Sequence, residues 1–129
     1  MTVPLPPGID QIVALEPGVR AITMRNVPAT LSVFDSHFPR FPVLPGVLVL
    51  DSMVATAALV VATPAQPWRL SSIGVVRFRH FIQPGDQVDI RAELLDGQTE
   101  FRVDASVADR VVATCRSLTL ARLAVEALR

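Results

Sequence analysis

The sequence predicts an α+β domain in which one long apolar helix lies against an antiparallel sheet of about five or six strands. Three observations point to it. After Pro45-Gly46 the chain runs to Thr63 without another Gly or Pro, with apolar residues on every face, which marks a helix start and then a helix that other elements enclose. The segments 88–94 and 101–107 alternate, Val88, Ile90, Ala92 and Leu94 against Asp89, Arg91 and Glu93, then Phe101, Val103, Ala105 and Val107 against Arg102, Asp104 and Ser106. That is the period of strands with one buried face. Turn sequences punctuate the chain at Glu16-Pro17-Gly18, Pro84-Gly85-Asp86, Asp96-Gly97 and Ala108-Asp109-Arg110, as an antiparallel meander requires. The simplest arrangement is a curved sheet wrapped around a buried central helix.

Taken in order, Pro4-Leu-Pro-Pro-Gly8 reads as an extended arm, followed by strands at 12–15 and 20–27. Between residues 28 and 46 stand four prolines, Pro28, Pro39, Pro42 and Pro45; this density forbids a helix and favours a stiff extended loop that delivers His37 to the central helix. The helix begins at Pro45 and ends near Thr63-Pro64. Strands follow at 73–82 and 88–94, a hairpin turns at Asp96-Gly97, and strands at 101–107 and 111–120 complete the sheet.

A chain of 129 residues is one domain, residues 1–129, large enough for a core and small enough to gain from dimerisation. Its 12 basic and 12 acidic residues cancel, which leaves no electrostatic footprint for nucleic acid. Every basic residue is Arg, which excludes any mechanism that needs a lysine amine. Cys115 is alone, so no internal disulfide forms; its expected place is a buried strand position in a reducing cytosol. The first ten residues lack the basic start and apolar core of a signal peptide, which adds to a cytoplasmic expectation. The helix is not read as a membrane span, because about 17 residues is the lower limit for crossing and Asp51 stands near its middle. Neither a metal nor another cofactor is expected, since two histidines and one cysteine stand far apart without ligand spacing.

Two side chains capable of acid–base work stand in this proline-punctuated apolar stretch, His37 and Asp51. Burying a charge without a partner is costly, so the placement points to chemistry. Other polar residues fit blander roles. His80 falls on a strand face with Val76, Phe78 and Ile82 and reads as a packed histidine, and Ser36 lacks the glycine-flanked elbow of a hydrolase nucleophile.

His37-Phe38-Pro39, Pro42-Val43, Pro45-Gly46-Val47-Leu48 and Asp51-Ser52-Met53, with the 14-residue step from His37 to Asp51, resemble the signature of bacterial β-hydroxyacyl-acyl-carrier-protein dehydratases of the FabA/FabZ type, which have the hotdog fold. The likeness extends to Leu15-Glu16-Pro17-Gly18, to Arg77-Phe78-Arg79 and to Pro84-Gly85-Asp86-Gln87, and so covers most of the chain. It implies dehydration of (3R)-hydroxyacyl thioesters to trans-2-enoyl thioesters in fatty-acid or polyketide-type synthesis. It also implies an acyl carrier protein bearing a phosphopantetheine-linked substrate as partner, and a homodimer or higher oligomer in which the histidine of one subunit meets the acid of the other.

The reaction needs a base for the C2 proton, an acid for the leaving hydroxyl and a donor to the thioester oxygen. By resemblance these roles map onto His37, Asp51 and the Gly46 N–H, with Phe38, Pro45, Val47 and Ala55 lining the acyl tunnel. Helix geometry agrees. Gly46 lies in the first turn, where amides are unpaired and the dipole is positive, and Asp51 is five residues on, about 7.5 Å along the axis. An apolar setting for Asp51 is expected to favour its protonated, donating form.

The chain departs from the pattern in places. Ser36 stands where a glycine usually precedes the histidine, Arg40 and Phe41 replace the commoner pair after His-Phe-Pro, and Ala55 stands where a glutamine often orients the acid. Two alternatives therefore accompany the dehydratase reading: a hotdog thioesterase using Asp51 to activate water, and a non-catalytic subunit that binds acyl chains or completes a heterodimer.

Overall fold

The computed structural model describes residues 5–31, 43–61, 68–95 and 99–122. In chain order these form β1 (Gln11–Glu16), β2 (Arg20–Asn26), α1 (Gly46–Val61), β3 (Trp68–Phe78), β4 (Gln87–Leu94), β5 (Glu100–Val107) and β6 (Arg110–Arg122). Every neighbouring pair is antiparallel, and the sheet order is β1-β2-β4-β5-β6-β3. The strand that follows the helix therefore crosses to the far side of the sheet and becomes one edge, with β1 the other.

The alternating segments form β4 and β5, and their apolar rows make the core. Val88, Ile90 and Ala92 of β4 and Phe101, Val103 and Ala105 of β5 are buried in one cluster with Val49, Met53, Ala57 and Val60 of α1. The expected 73–82 strand is corrected: β3 starts five residues earlier, at Trp68, and stops at Phe78. It stops because the Arg79 and His80 amides both turn to the Val112 carbonyl, at 2.8 and 3.3 Å, which ends the regular ladder. His80 consequently sits outside the strand and is exposed, contrary to the packed position expected of it. The amino-terminal arm also differs from expectation. It turns back at Pro7-Gly8, the Ile9 amide donates to Pro6 O at 3.3 Å, and Ile9 is buried. Cys115 is buried on β6 as expected, and burial pushes its thiol pKa up, outweighing its hydrogen-bond contacts with the backbone at Ser117 and Gly74.

The helix is oriented by polar contacts as well as by apolar ones. Thr56 Oγ1 donates to Ser52 O at 2.7 Å, and its oxygen lies 2.7 Å from Thr23 Oγ1 on β2, both side chains being fully buried. A hydroxyl carries one proton, so Thr23 must be the donor to Thr56. Thr56→Val is expected to strand the Thr23 hydroxyl and cost about 1–3 kcal/mol, whereas Thr23→Val/Thr56→Val removes both partners and costs less than the sum of the singles. Denaturant titrations of the four proteins measure the coupling.

At the far end of α1 the Gly18 amide, in the β1–β2 turn, donates to the Val60 carbonyl at 2.9 Å and so caps the helix C-terminus. The β5–β6 hairpin closes on the pair Val107↔Arg110 through Ala108 and Asp109, whose φ values are 49° and 65°. A two-residue loop with both residues left-handed is the primed turn that matches strand twist, and alanine is poorly suited to it. Ala108→Asn is expected to raise stability by about 0.5–1 kcal/mol, read as a higher denaturation midpoint at unchanged slope. Asp96-Gly97 lies outside the described residues.

Candidate functional site

The site is built on the first two turns of α1 and on what holds the chain before it. The Pro45 carbonyl accepts from Leu48 N at 3.0 Å and from Val49 N at 3.4 Å, so Pro45 occupies the cap and Gly46 is the first helical residue. Among the described residues the Gly46 and Val47 amides have no acceptor. Amides at a helix start, at the positive end of the dipole, are of the kind that suits an incoming oxygen.

Gly46 is glycine because of what approaches it. A Cβ there would lie 2.8 Å from Phe78 Cζ and 3.2 Å from both Cε atoms, so the edge of the Phe78 ring rests against the bare Cα. Phe78 is 51% exposed, Val47 63% and Phe81 70%. Val47 and the Phe78 ring thus put exposed apolar surface at the helix start. Phe78 is the residue that sequence reasoning left without a role, although it stands in the quoted Arg77-Phe78-Arg79 segment. Only its ring position reveals it.

α1 buries Val49, Ser52, Met53, Thr56, Ala57 and Val60 against the sheet. Asp51 and Val47, one helical turn apart, face the other way and are exposed, with Leu50, Val54, Ala55 and Ala58 half-buried beside them. Among the described residues the expected enclosure of the helix on every side, and of Asp51 in an apolar setting, is thus not supplied: one face has a sheet over it and the opposite face is uncovered. Pro45 and Val47 sit at the mouth of that bare face and Ala55 one turn beyond Asp51, so these three expected tunnel residues do share one stretch of helix.

His37 and Phe38, with Ser36 and Arg40, lie in 32–42, outside the described residues. Both ends of that segment are described, and both are fastened to one turn. On the way in, Val27 N donates to Asp86 O at 3.0 Å and Val27 O accepts from Gly85 N at 2.7 Å, while Asn26 N donates to Asp10 Oδ2 at 2.7 Å. On the way out, Leu44 N donates to Ile82 O at 2.7 Å, with Val43 and Leu44 buried. The Asp86 side chain closes the turn by accepting from Gln83 N at 2.8 Å. The Pro84-Gly85-Asp86 sequence is therefore more than a hairpin signal, because it anchors the segment that carries the histidine at entry and exit. Among the described residues no three His, Cys, Asp or Glu side chains converge as metal ligands, and no helix is long and apolar enough to cross a membrane.

One helix laid across a single six-stranded antiparallel sheet is the hotdog arrangement. A solved structure titled the dehydratase heterocomplex ApeI:P from Xenorhabdus doucetiae superposes with a TM-score of 0.71 at 25% identity, over 86% of this chain and 96% of that one. An uncharacterized protein from Pyrococcus horikoshii gives 0.75 at 16% identity over 94% and 88%, a likeness of fold alone. In sequence, the 3-hydroxyacyl-[acyl-carrier-protein] dehydratase FabZ of Ruminiclostridium cellulolyticum is 32% identical over 112 residues, covering 81% of this chain and 79% of the relative. FabZ of Ralstonia nicotianae is 35% identical over 124 residues, covering 88% and 76%. A family profile described as ApeI-like, ApeI dehydratase, matches residues 14–116. The chain belongs to this family of dehydratases.

Proposed function

We propose that the chain removes water from (3R)-hydroxyacyl thioesters carried on acyl carrier protein, giving trans-2-enoyl thioesters, with His37 as the base at C2, Asp51 as the acid at the C3 hydroxyl, and the Gly46 amide as donor to the thioester oxygen. The observation that carries the reading is the shared, uncovered face of α1. Its first residues hold amides without acceptors among the described residues, and Asp51 projects from the helix one turn after Val47. A substrate lying along that face meets the oxygen-binding end first and the carboxyl about 7.5 Å further on, a gap that two hydrogen bonds and the C1–C3 span of the substrate fill. As charge builds on the thioester oxygen, the dipole and amides of the helix start stabilise it without reorganising. FabZ relatives carry the acyl-carrier-protein substrate in their name, which supports the same carrier here.

The bare apolar face supports a dimer. A second protomer laid against Val47, Leu50, Val54 and Ala58 removes these side chains from water. By the family resemblance, the histidine that meets Asp51 in such a dimer comes from the partner subunit. A heteromeric partner is the second reading, favoured because the ApeI structure is titled a heterocomplex. The experiment supplies the purified protein with 3-hydroxyacyl thioesters on carrier protein and follows enoyl formation and thiol release together. Enoyl product without thiol release supports dehydration; thiol release in its place, or no turnover at any chain length, overturns it.

A further inference from the structure

Arg25 is half-buried on β2, on the same strand face as Thr23, and no carboxylate pairs with it among the described residues. Its guanidinium is held instead by hydrogen bonds to the helix, and charged donors make the stronger ones. Its Nη1 donates to Ser52 Oγ at 3.1 Å and to the Leu48 carbonyl at 3.3 Å. Ser52 passes its single proton to Gly8 O at 2.8 Å, the shorter of its two acceptor contacts, the Leu48 carbonyl lying at 3.3 Å. Arg25, Ser52 and Gly8 thus form a relay from β2 through the helix to the amino-terminal turn, with a charged donor at its head to strengthen each link. Gly8 fits this role closely: its φ is +88°, and a Cβ would stand 2.9 Å from Ser52 Oγ.

The relay grips the helix turn 48–52, the turn that carries Asp51. Among the described residues nothing covers the opposite face, where Asp51 and Val47 project, and the polar contacts that hold this turn come from behind it. The same strand ends at Asn26 and leads within a few residues into the segment that carries His37. We propose that Arg25 is a positioning residue for the dehydration, fixing through Ser52 and Leu48 the helix turn from which Asp51 acts; the inference rests on the role of Asp51 given above. It touches neither substrate nor reacting atoms. A misplacement of about 1 Å at a reacting group costs on the order of 10²-fold in rate, which is the scale on which a loosened turn is felt.

The test compares Arg25→Met, Arg25→Lys and Ser52→Ala, each alone and in an Asp51→Asn background, by steady-state dehydration with melting temperatures recorded alongside. Arg25→Met is expected to lower kcat by about 10- to 100-fold with KM within about threefold, because a geometry needed only in the transition state is lost. Arg25→Lys, which keeps a donor able to reach one of the two acceptors, restores part of that loss. Ser52→Ala, the milder change should Arg25→Met fold poorly, lowers kcat in the same direction. In the Asp51→Asn background, Arg25→Met adds less than about twofold, since a residue that works through Asp51 has nothing left to position. A lower melting temperature with kcat retained overturns the inference and leaves a merely structural arginine. So do losses from Arg25→Met and Asp51→Asn that multiply. Full turnover in Asp51→Asn alone removes the reading of the site itself, an outcome distinct from both.

Discussion

Asp51→Asn is expected to lower kcat for dehydration by about 10²- to 10⁴-fold, the range for losing a positioned acid or base. Asparagine keeps the size of the side chain and cannot give a proton to the departing hydroxyl. The fold should not notice the change. The Asp51 side chain is exposed and makes no hydrogen bond or ion pair among the described residues, and surface substitutions of this kind stay within about 0.5 kcal/mol. His37→Ala should cost a similar factor. The two variants also test whether each site is shared between subunits. Mixed in equal amounts and allowed to exchange, inactive His37→Ala and Asp51→Asn homodimers yield half heterodimers, each with one doubly altered site and one intact site. Activity then returns to about a quarter of the wild-type value. If histidine and carboxylate come from the same chain, every site keeps one defect and no activity returns.

The second large effect belongs to Gly46→Ala. Helix propensity alone favours alanine by about 1 kcal/mol, and the helical position of Gly46 does not require a left-handed φ, since of the described glycines only Gly8, Gly18 and Gly85 adopt one. The obstacle is Phe78, whose Cζ would stand 2.8 Å from the new methyl. The ring is half-exposed, so it swings aside at little cost to stability, and a melting temperature within a few degrees of wild type is expected. Turnover should fall by about 10²-fold, because both the new methyl and the displaced ring crowd the amide that receives the thioester oxygen. Phe78→Ala in the same chain separates the causes. Recovery of kcat assigns the loss to the ring; continued loss assigns it to the methyl itself. Unchanged turnover in Gly46→Ala would mean that the thioester oxygen binds elsewhere.

Much of the fold is legible in the sequence because it rests on local periodicity. The alternating residues of β4 and β5 and the unbroken run after Pro45 dictate their elements through backbone geometry. β3 was harder. Its first half, Trp68 to Ser72, is largely exposed on an edge and shows no alternation to read. Its end depends on two amides turning to Val112, which moved His80 from an expected core position to the surface. The helix has a similar limit: apolar residues on every face imply enclosure, yet only the stripe from Val49 to Val60 meets the sheet.

The sequence by itself determined which reactive groups exist and how far apart they stand on α1, because the rise of a helix is set by its own backbone bonds and needs no neighbour. Gly46, Asp51 and the spacing between them follow from that. Only the tertiary structure decided which way they face and what holds them there. Phe78 against Gly46, Arg25 against Ser52, and the Ile82 to Asp86 turn at both ends of the His37 segment are contacts between residues distant in the chain. Such contacts depend on how the sheet closes over the helix, and no local period in the sequence records them.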